Sequence, residues 1–529
     1  MVAHLRNHAV YAGIACLMLP LLAAGQPATA DVTAVRIDGN TLLPEQTLAR
    51  LTDGVVGHPL SLDRLKATAA RIQGAYRDAG YGGVIAYVPP QESGDGTVVI
   101  KVLEGKVAQV SISGNAHYTT GNIRAGLVHL HEGTTPLVRA IDRDIQLTND
   151  NPRKHVNVVL AAGERPGDID ARVNVTDAPP VQYLVGFNNT GTRMTGRNRL
   201  SVGIEHANLF GSDQVGTLQY QTSPDYPGRV RIYSGGYRIP LYAHAASLDA
   251  FAAYSSVSNG TTATVAGPLS FTGRGTILGL HGNLHLDRRG EYDQSVTLGL
   301  EHRSYRDDCS IGEFGAAGCG AAAVAVTTEP LSLSYTGQKS GPALSYGFNA
   351  GLTMNIAGST AATFEASRPG AKRRYAMARL SGFVEKPLAG QVVVLARVEM
   401  QYSPDRLVAA ERFGIGGAGS VRGYSERELN GDNGILVRLE AAAATIDAVR
   451  GVPARLYVLL DHGRVRNHAD LPCRGARTMS CNLTGAGVGA RLTLPRRASA
   501  TLELARAMDA GTTTERGDIR AHVALNLAF

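Results

Sequence analysis

Ile519-Arg520-Ala521-His522-Val523-Ala524-Leu525-Asn526-Leu527-Ala528-Phe529 closes the chain and decides its fold class. Ile519, Ala521, Val523, Leu525, Leu527 and Phe529 share one face of an extended strand. Arg520, His522 and Asn526 share the other with Ala524 and Ala528. Successive strand side chains point to opposite sides, so this strand meets hydrocarbon on one face and water on the other. The pattern recurs upstream. Tyr183, Val185 and Phe187 alternate with Gln182, Leu184, Gly186 and Asn188. Val296, Leu298 and Leu300 alternate with Thr297, Gly299 and Glu301, and Leu456, Val458 and Leu460 with Arg455, Tyr457 and Asp461. About sixteen such segments fit between Val181 and Phe529, at about 22 residues per strand and connection, which suits a membrane-spanning antiparallel barrel.

Composition agrees. The 529-residue chain has 62 Gly and 20 Tyr against 10 Phe. With no Trp, tyrosines must supply the interfacial girdle. No run after residue 30 is long and apolar enough for a helical span. The net charge of +7 is scattered rather than gathered in a patch, which argues against nucleic-acid binding. Residues 1–30 read as a secretory signal: Arg6, an apolar run from Val10 to Ala24, and the small-residue site Ala28-Thr29-Ala30. Cys309 with Cys319, and Cys473 with Cys481, form two close pairs whose exported setting favours local disulfides over zinc. If Val181 starts on the periplasmic side, both pairs fall in outward-facing loops.

Upstream of Ala178-Pro179-Pro180, a stiff linker, the texture changes. Residues 31–105 and 106–177 each read as β-α-α-β-β. In the first, Leu62, Leu65, Ala69, Ile72, Tyr76 and Ala79 give a helix one buried face, and Gly80 stops it. Strands follow from Val84 to Val88 and from Thr97 to Leu103. In the second, helices fit Thr120 to Leu130 and Pro136 to Asn149, and strands His155 to Leu160 and Ile169 to Thr176.

Several motifs now have a place. Gly39-Asn40-Thr41, Ala75-Tyr76-Arg77-Asp78-Ala79-Gly80-Tyr81 and Val102-Leu103-Glu104-Gly105 resemble the first POTRA domain of two-partner secretion transporters, a TpsB-type branch of the outer-membrane protein-assembly superfamily. Leu147-Thr148-Asn149-Asp150-Asn151-Pro152 and Gly163-Glu164-Arg165-Pro166-Gly167 resemble the second. Asn188-Asn189-Thr190-Gly191 resembles the first barrel strand and loop, and Asn208-Leu209-Phe210-Gly211-Ser212-Asp213 the first periplasmic turn. Val421-Arg422-Gly423-Tyr424, in a segment at 403–433, resembles the motif of the sixth surface loop, which folds into the lumen. An arginine tucked there needs a carboxylate. Asp461, in an element resembling the family's Phe-x-Asp-x-Gly with Leu459 replacing Phe, is the expected partner, and Glu440 the alternative.

The resemblance implies a transmembrane β-barrel of about sixteen antiparallel strands at 178–529, preceded by two α+β POTRA domains in the periplasm. It implies export of a secreted partner exoprotein recognised by those domains, contact with outer-membrane lipid and lipopolysaccharide, and barrel insertion machinery that reads the terminal Phe529. Inward arginines such as Arg199, Arg438 and Arg455 are expected to keep a passing chain hydrated. The family's plug helix finds no room before the first strand. An assembly factor inserting other barrels is the alternative function, and a passive porin or adhesin a third.

Other motifs are set aside. Gly414-Ile415-Gly416-Gly417-Ala418-Gly419 matches a dinucleotide fingerprint but lacks a following helix. His281 and His285 would lie about 13 Å apart on a strand, too far for one metal ion. His129 and His131 flank a helix end. No catalytic site, metal or cofactor is expected.

Overall fold

The computed structural model describes residues 31–92, 95–193, 195–264, 267–306, 324–447, 452–468, 480–494 and 497–529. The signal segment and Cys309, Cys319 and Cys473 lie outside them. The chain divides into two compact units, one holding the first sheet and its helices, the other holding the rest.

The first unit runs β1 (Ala34–Asp38), α1 (Glu45–Thr52), α2 (Leu62–Ala79), β2 (Val84–Tyr87) and β3 (Thr97–Glu104). Its sheet has the order β1-β3-β2, so β1 and β2 are both edges. Leu65, Ala69, Ile72 and Tyr76 of α2 are buried, as their spacing demands, whereas Leu62 and Ala79 at the two ends of the helix are exposed. The three motif pieces meet at the Glu104 carboxylate. It accepts hydrogen bonds from Thr41 N at 2.7 Å, Leu42 N at 3.1 Å and the Tyr76 hydroxyl at 2.8 Å. Asn40 caps the same turn by donating to Leu43 O. Burial raises the Glu104 carboxyl, but the bonds from Thr41, Tyr76 and Leu42 outweigh it and hold the group below its ordinary value.

The second unit opens with β4 (Lys106–Ser113), α3 (Thr120–Gly126), α4 (Val138–Asn149), β5 (Lys154–Ala162) and β6 (Asp168–Asp177), with sheet order β4-β6-β5. α3 is shorter than its periodicity predicts. It ends at Gly126 because Leu127 and Leu130 leave the helical path to fill the core with Ile123 and Ile141. Asp177 does here what Glu104 does in the first unit, accepting from the backbone N–H groups of Ala116, His117 and Tyr118.

The barrel follows: β7 (Val181–Asn188), β8 (Arg199–Leu209), β9 (Gln214–Thr222), β10 (Arg231–Leu241), β11 (Ala246–Thr264), β12 (Gly267–His285), β13 (Tyr292–Arg306), β14 (Val326–Lys339) and β15 (Ser345–Gly358). After α5 (Ala361–Ser367) come β16 (Ala376–Pro387) and β17 (Val393–Tyr402). A small hairpin, β18 (Phe413–Ile415) with β19 (Leu429–Gly431), lies inside the next loop. Then come β20 (Asn433–Ala442), β21 (Ile446–Asp447), β22 (Pro453–Arg466), β23 (Ser480–Leu494), β24 (Ala498–Ala507) and β25 (Ile519–Ala528). Neighbours pair antiparallel, and β25 returns to β7 to close the barrel. β20 and β21 both pair with β22 and form one stave, which makes sixteen.

Alternation sets the two faces. On β22, Leu456, Val458 and Leu460 are exposed outward, while Tyr457, Leu459 and Asp461 are buried inward. Tyr220, Tyr233 and Tyr254 line up across three staves with ring centroids 4.9 and 6.5 Å apart, a tyrosine girdle in a chain without Trp. Phe529 continues the last strand, exchanging backbone hydrogen bonds with Tyr183, its ring 5.8 Å from the Tyr183 ring. Among the described residues no helix is long and apolar enough to cross a membrane.

Candidate functional site: a surface loop pinned inside the barrel

The connection between β17 and β20 turns back into the lumen and is held at two depths. At its tip, Val421 is fully buried among Ile415, Leu429, Leu436, Val465 and Leu483. That packing delivers Arg422, also fully buried, to the inward faces of three staves. Its Nε and Nη2 donate to the two oxygens of Asp461 on β22, at 2.6 and 2.7 Å. Its backbone N donates to the same carboxylate at 3.1 Å. Nη1 donates to Glu440 on β20 at 2.8 Å and to Glu503 on β24 at 2.6 Å. Asp461 and Glu440 are therefore joint partners rather than alternatives, and Glu503 is a third.

The cage has supports of its own. The Tyr457 hydroxyl donates to Glu503 at 2.7 Å, and Arg491 pairs with the free oxygen of Glu440. Arg438 reaches the loop backbone at Gly419 O. Three carboxylates around one guanidinium would repel one another, so Arg491 and Arg438 balance the surplus.

Beside the arginine, the loop is fixed through its backbone. Gly423 has φ +96°, and a Cβ there would press on the backbone of Arg506 and Ala507. Glycine is required for that approach. Gly423 N donates to His522 Nε2 on β25 at 3.1 Å. The fully buried Tyr424 sets its hydroxyl 2.9 Å from Thr484 O and accepts from Asp509 N. The loop tip thus contacts staves from β20 to β25.

Nearer the outside, two carboxylates hold the base. Glu411 is nearly fully buried and takes both a 2.8 and a 2.9 Å hydrogen bond from Arg303 of β13. Asp432 receives Arg368, which follows α5, together with the N–H groups of Leu407 and His468. Phe364 and Tyr375 pack on Leu407 and Val408 above it.

The remaining predicted residues fall in several places. Cys481, at the start of β23, is disulfide-bonded. Arg199 does not line a water path. It is buried where β8 begins and donates to the carbonyls of Gly196 and Asn198 and to Thr195 Oγ1, holding the first outer turn. Its position at the strand's first residue lets the side chain fold back over its own loop. Arg455 is half-buried on the inward register of β22 and donates to Thr445 Oγ1. His281 and His285 have separate partners, Glu301 and Asp150, and His129 bonds Asp144. Among the described residues no group of side chains is arranged to hold a metal ion. Sequence reasoning missed Glu503, Arg368 and Asp432. Only Glu503 left a signal, as a lone acid on the inward register of β24.

Comparison with known proteins places this architecture. Residues 167–492 match the model of the haemolysin secretion/activation protein ShlB/FhaC/HecB family. The chain belongs to that family. Residues 30–105 match the ShlB-type POTRA domain. The outer membrane transporter CdiB of Escherichia coli is 24% identical over 457 residues, 83% of this chain and 74% of that protein. The heme/hemopexin transporter protein HuxB of Haemophilus influenzae is 28% identical over 165 residues, 31% of this chain and 29% of that protein. The solved structure of CdiB from Escherichia coli superposes with a TM-score of 0.76 at 21% identity, covering 97% of this chain and 93% of that one. The chain is thus an outer-membrane β-barrel transporter of the two-partner secretion kind, its N-terminal POTRA domain on the periplasmic side.

Proposed function

We propose that this transporter captures an unfolded partner exoprotein in the periplasm through its two βααββ modules and passes it through the barrel to the cell surface. The observation that carries this reading is the loop tip caged in the lumen by Arg422. Such a loop, tied at its tip to β20, β22 and β24 and at its base to β13, keeps the lumen shaped. The modules add a receiving surface. β2 exposes Ile85 and Tyr87 at a sheet edge, and β5 exposes Val159 at another. An edge strand accepts an extended client by backbone hydrogen bonds, which tolerates varied client sequence. Folding of the client outside supplies direction. The outward face meets lipid and lipopolysaccharide, and Phe529 offers the insertion machinery a terminal aromatic.

BamA from Haemophilus ducreyi superposes with a TM-score of 0.50 at 15% identity, a likeness of fold that keeps barrel assembly as the second reading. One experiment separates the two. The gene is deleted and restored, and the surface, medium and outer membrane are compared by proteomics. Export predicts that one large secreted protein disappears and returns, with other barrels unchanged. Loss of several outer-membrane barrels would overturn it in favour of assembly.

A further inference from the structure

The outward face of staves β10 to β13 changes character along its height. Tyr233 stands directly opposite Tyr254, Tyr254 opposite Thr276, and Thr276 opposite Ser304, so one row of the hydrogen-bonded lattice crosses four staves. Below that row, towards the periplasm, the face is apolar. Leu278, Leu284 and Leu300 are exposed on it, and β10 ends at the exposed Leu241. Above the row stand three arginines. Arg231, Arg274 and Arg306, each two residues further out than Tyr233, Thr276 and Ser304, are exposed on the same face. A tyrosine girdle marks the boundary between hydrocarbon and head groups. The arginines therefore lie at head-group level in the outer leaflet.

Two of them are cross-strand partners. Arg274 is directly opposite Arg306, which puts their Cα atoms about 5 Å apart. Like charges so placed repel. A phosphate between two guanidiniums turns that repulsion into charge-assisted hydrogen bonds, each planar fork addressing its own oxygens. Arg231 lies two staves away, about 10 Å along the lattice, where a second phosphate of the same molecule can reach it.

Beneath the arginines is a groove shaped for a hydrocarbon chain. Gly235 lies opposite Ala252, with Leu218 of β9 on one side and Leu278 of β12 on the other. The two small residues leave a slot between two leucines. It belongs to an apolar groove of about 700 Å³ lined by Val202, Leu218, Tyr220, Tyr233, Gly235 and Ala252. A ligand that matches both parts resides in the outer leaflet and carries phosphates on a head group directly above acyl chains. The lipid A part of lipopolysaccharide has that chemistry.

We propose that staves β9 to β13 form a binding site for one lipopolysaccharide molecule, its lipid A phosphates held by Arg274, Arg306 and Arg231 and an acyl chain lying in the slot at Gly235 and Ala252. The site deepens the reading of the outward face as lipid-facing and rests on it, not on export. The bound lipid ties together staves that lie outside the Arg422 cage, whose carboxylates are on β20, β22 and β24.

The full-length protein, freed of lipid in detergent, is titrated with purified lipid A and read by native mass spectrometry. One retained lipid A is expected, with dephosphorylated lipid A and phosphatidylglycerol bound far more weakly. Inorganic phosphate at the same concentration is expected not to displace it. Arg274→Gln combined with Arg306→Gln is expected to weaken binding by about tenfold or more, because charge-assisted hydrogen bonds are lost. Gly235→Leu, which fills the slot, is expected to weaken it as well. Arg464→Gln with Arg506→Gln, at exposed outward positions on β22 and β24, is expected to bind lipid A as the wild type does. Phosphatidylglycerol bound as tightly as lipid A, displacement by inorganic phosphate, unchanged affinity in the Arg274 and Arg306 variant, or equal loss in the Arg464 and Arg506 variant would each overturn the site. Variants are compared as closed barrels, shown by the heat-modifiable band. Where the first variant lacks that band, Gly235→Leu decides, and unaltered lipid A binding there overturns the proposal. No client is present, so failure of export would leave this result standing, and the reverse.

Discussion

Two buried cations organise the second unit, and they are built differently. Arg422 faces three carboxylates from three staves, while Lys154 faces one carboxylate and a set of amides and tyrosines. A planar fork can address several acceptors in fixed directions, whereas an ammonium is a compact point charge. The arginine thus fixes the orientation of a loop inside the barrel. The lysine fixes a position. Their surroundings agree with the contrast. The Arg422 cage is reinforced by Gly423 and Tyr424, while the contacts of Lys154 converge on the turn that carries Asp213.

The sharpest way to break this contrast is at the cage. Arg422→Ala leaves Asp461, Glu440 and Glu503 facing one another, a loss on the order of 3–5 kcal/mol. The loop is expected to leave the lumen, and added protease should then cut within residues 403–432 on intact cells, while the barrel keeps its heat-modifiable band. Next comes Arg422→Lys, which retains the charge and loses the fork. Partial protease sensitivity, between wild type and alanine, is expected. If lysine matched wild type, charge alone would suffice and the contrast would fail. Smaller again is Glu503→Gln, which removes one of three acids and spares the bidentate pair with Asp461. Its loop is expected to stay protected, with faster hydrogen exchange at Gly423.

The smallest effect lies in the first unit. Glu104 is held below its ordinary value, so its contribution is complete above the unfolded carboxyl range, about pH 4.3, and is lost as pH falls through the folded value. Glu104→Gln should cost roughly 1 kcal/mol per lost net hydrogen bond. It should also remove the acid-dependent part of exchange protection in residues 40–43. A Gln variant as acid-sensitive as wild type would show that another group titrates there.

Much of this was legible in sequence because its signals are local. Period-two alternation gives the staves, and the glycine-flanked Val421-Arg422-Gly423-Tyr424 marks a loop that needs a partner acid. The inward register of β22 and β20 then points to Asp461 and Glu440. What was hidden depends on contacts between distant segments. Lys154 stands just before the strand expected at His155, and its partner lies 59 residues on, in a turn whose left-handed Asp213 no periodicity reveals. Arg199 matched the inward register but folds back over its own loop, because a strand's first side chain is free to leave the pleat. Arg368 and Asp432 meet only because α5 lies over the loop base.

The most direct test of the central claim is export by cells carrying Arg422→Ala, followed through the protein that leaves the surface and medium when the gene is deleted. An inserted, closed barrel and none of that protein outside the cell are expected. Wild-type amounts outside, from a barrel shown to be folded, would contradict it.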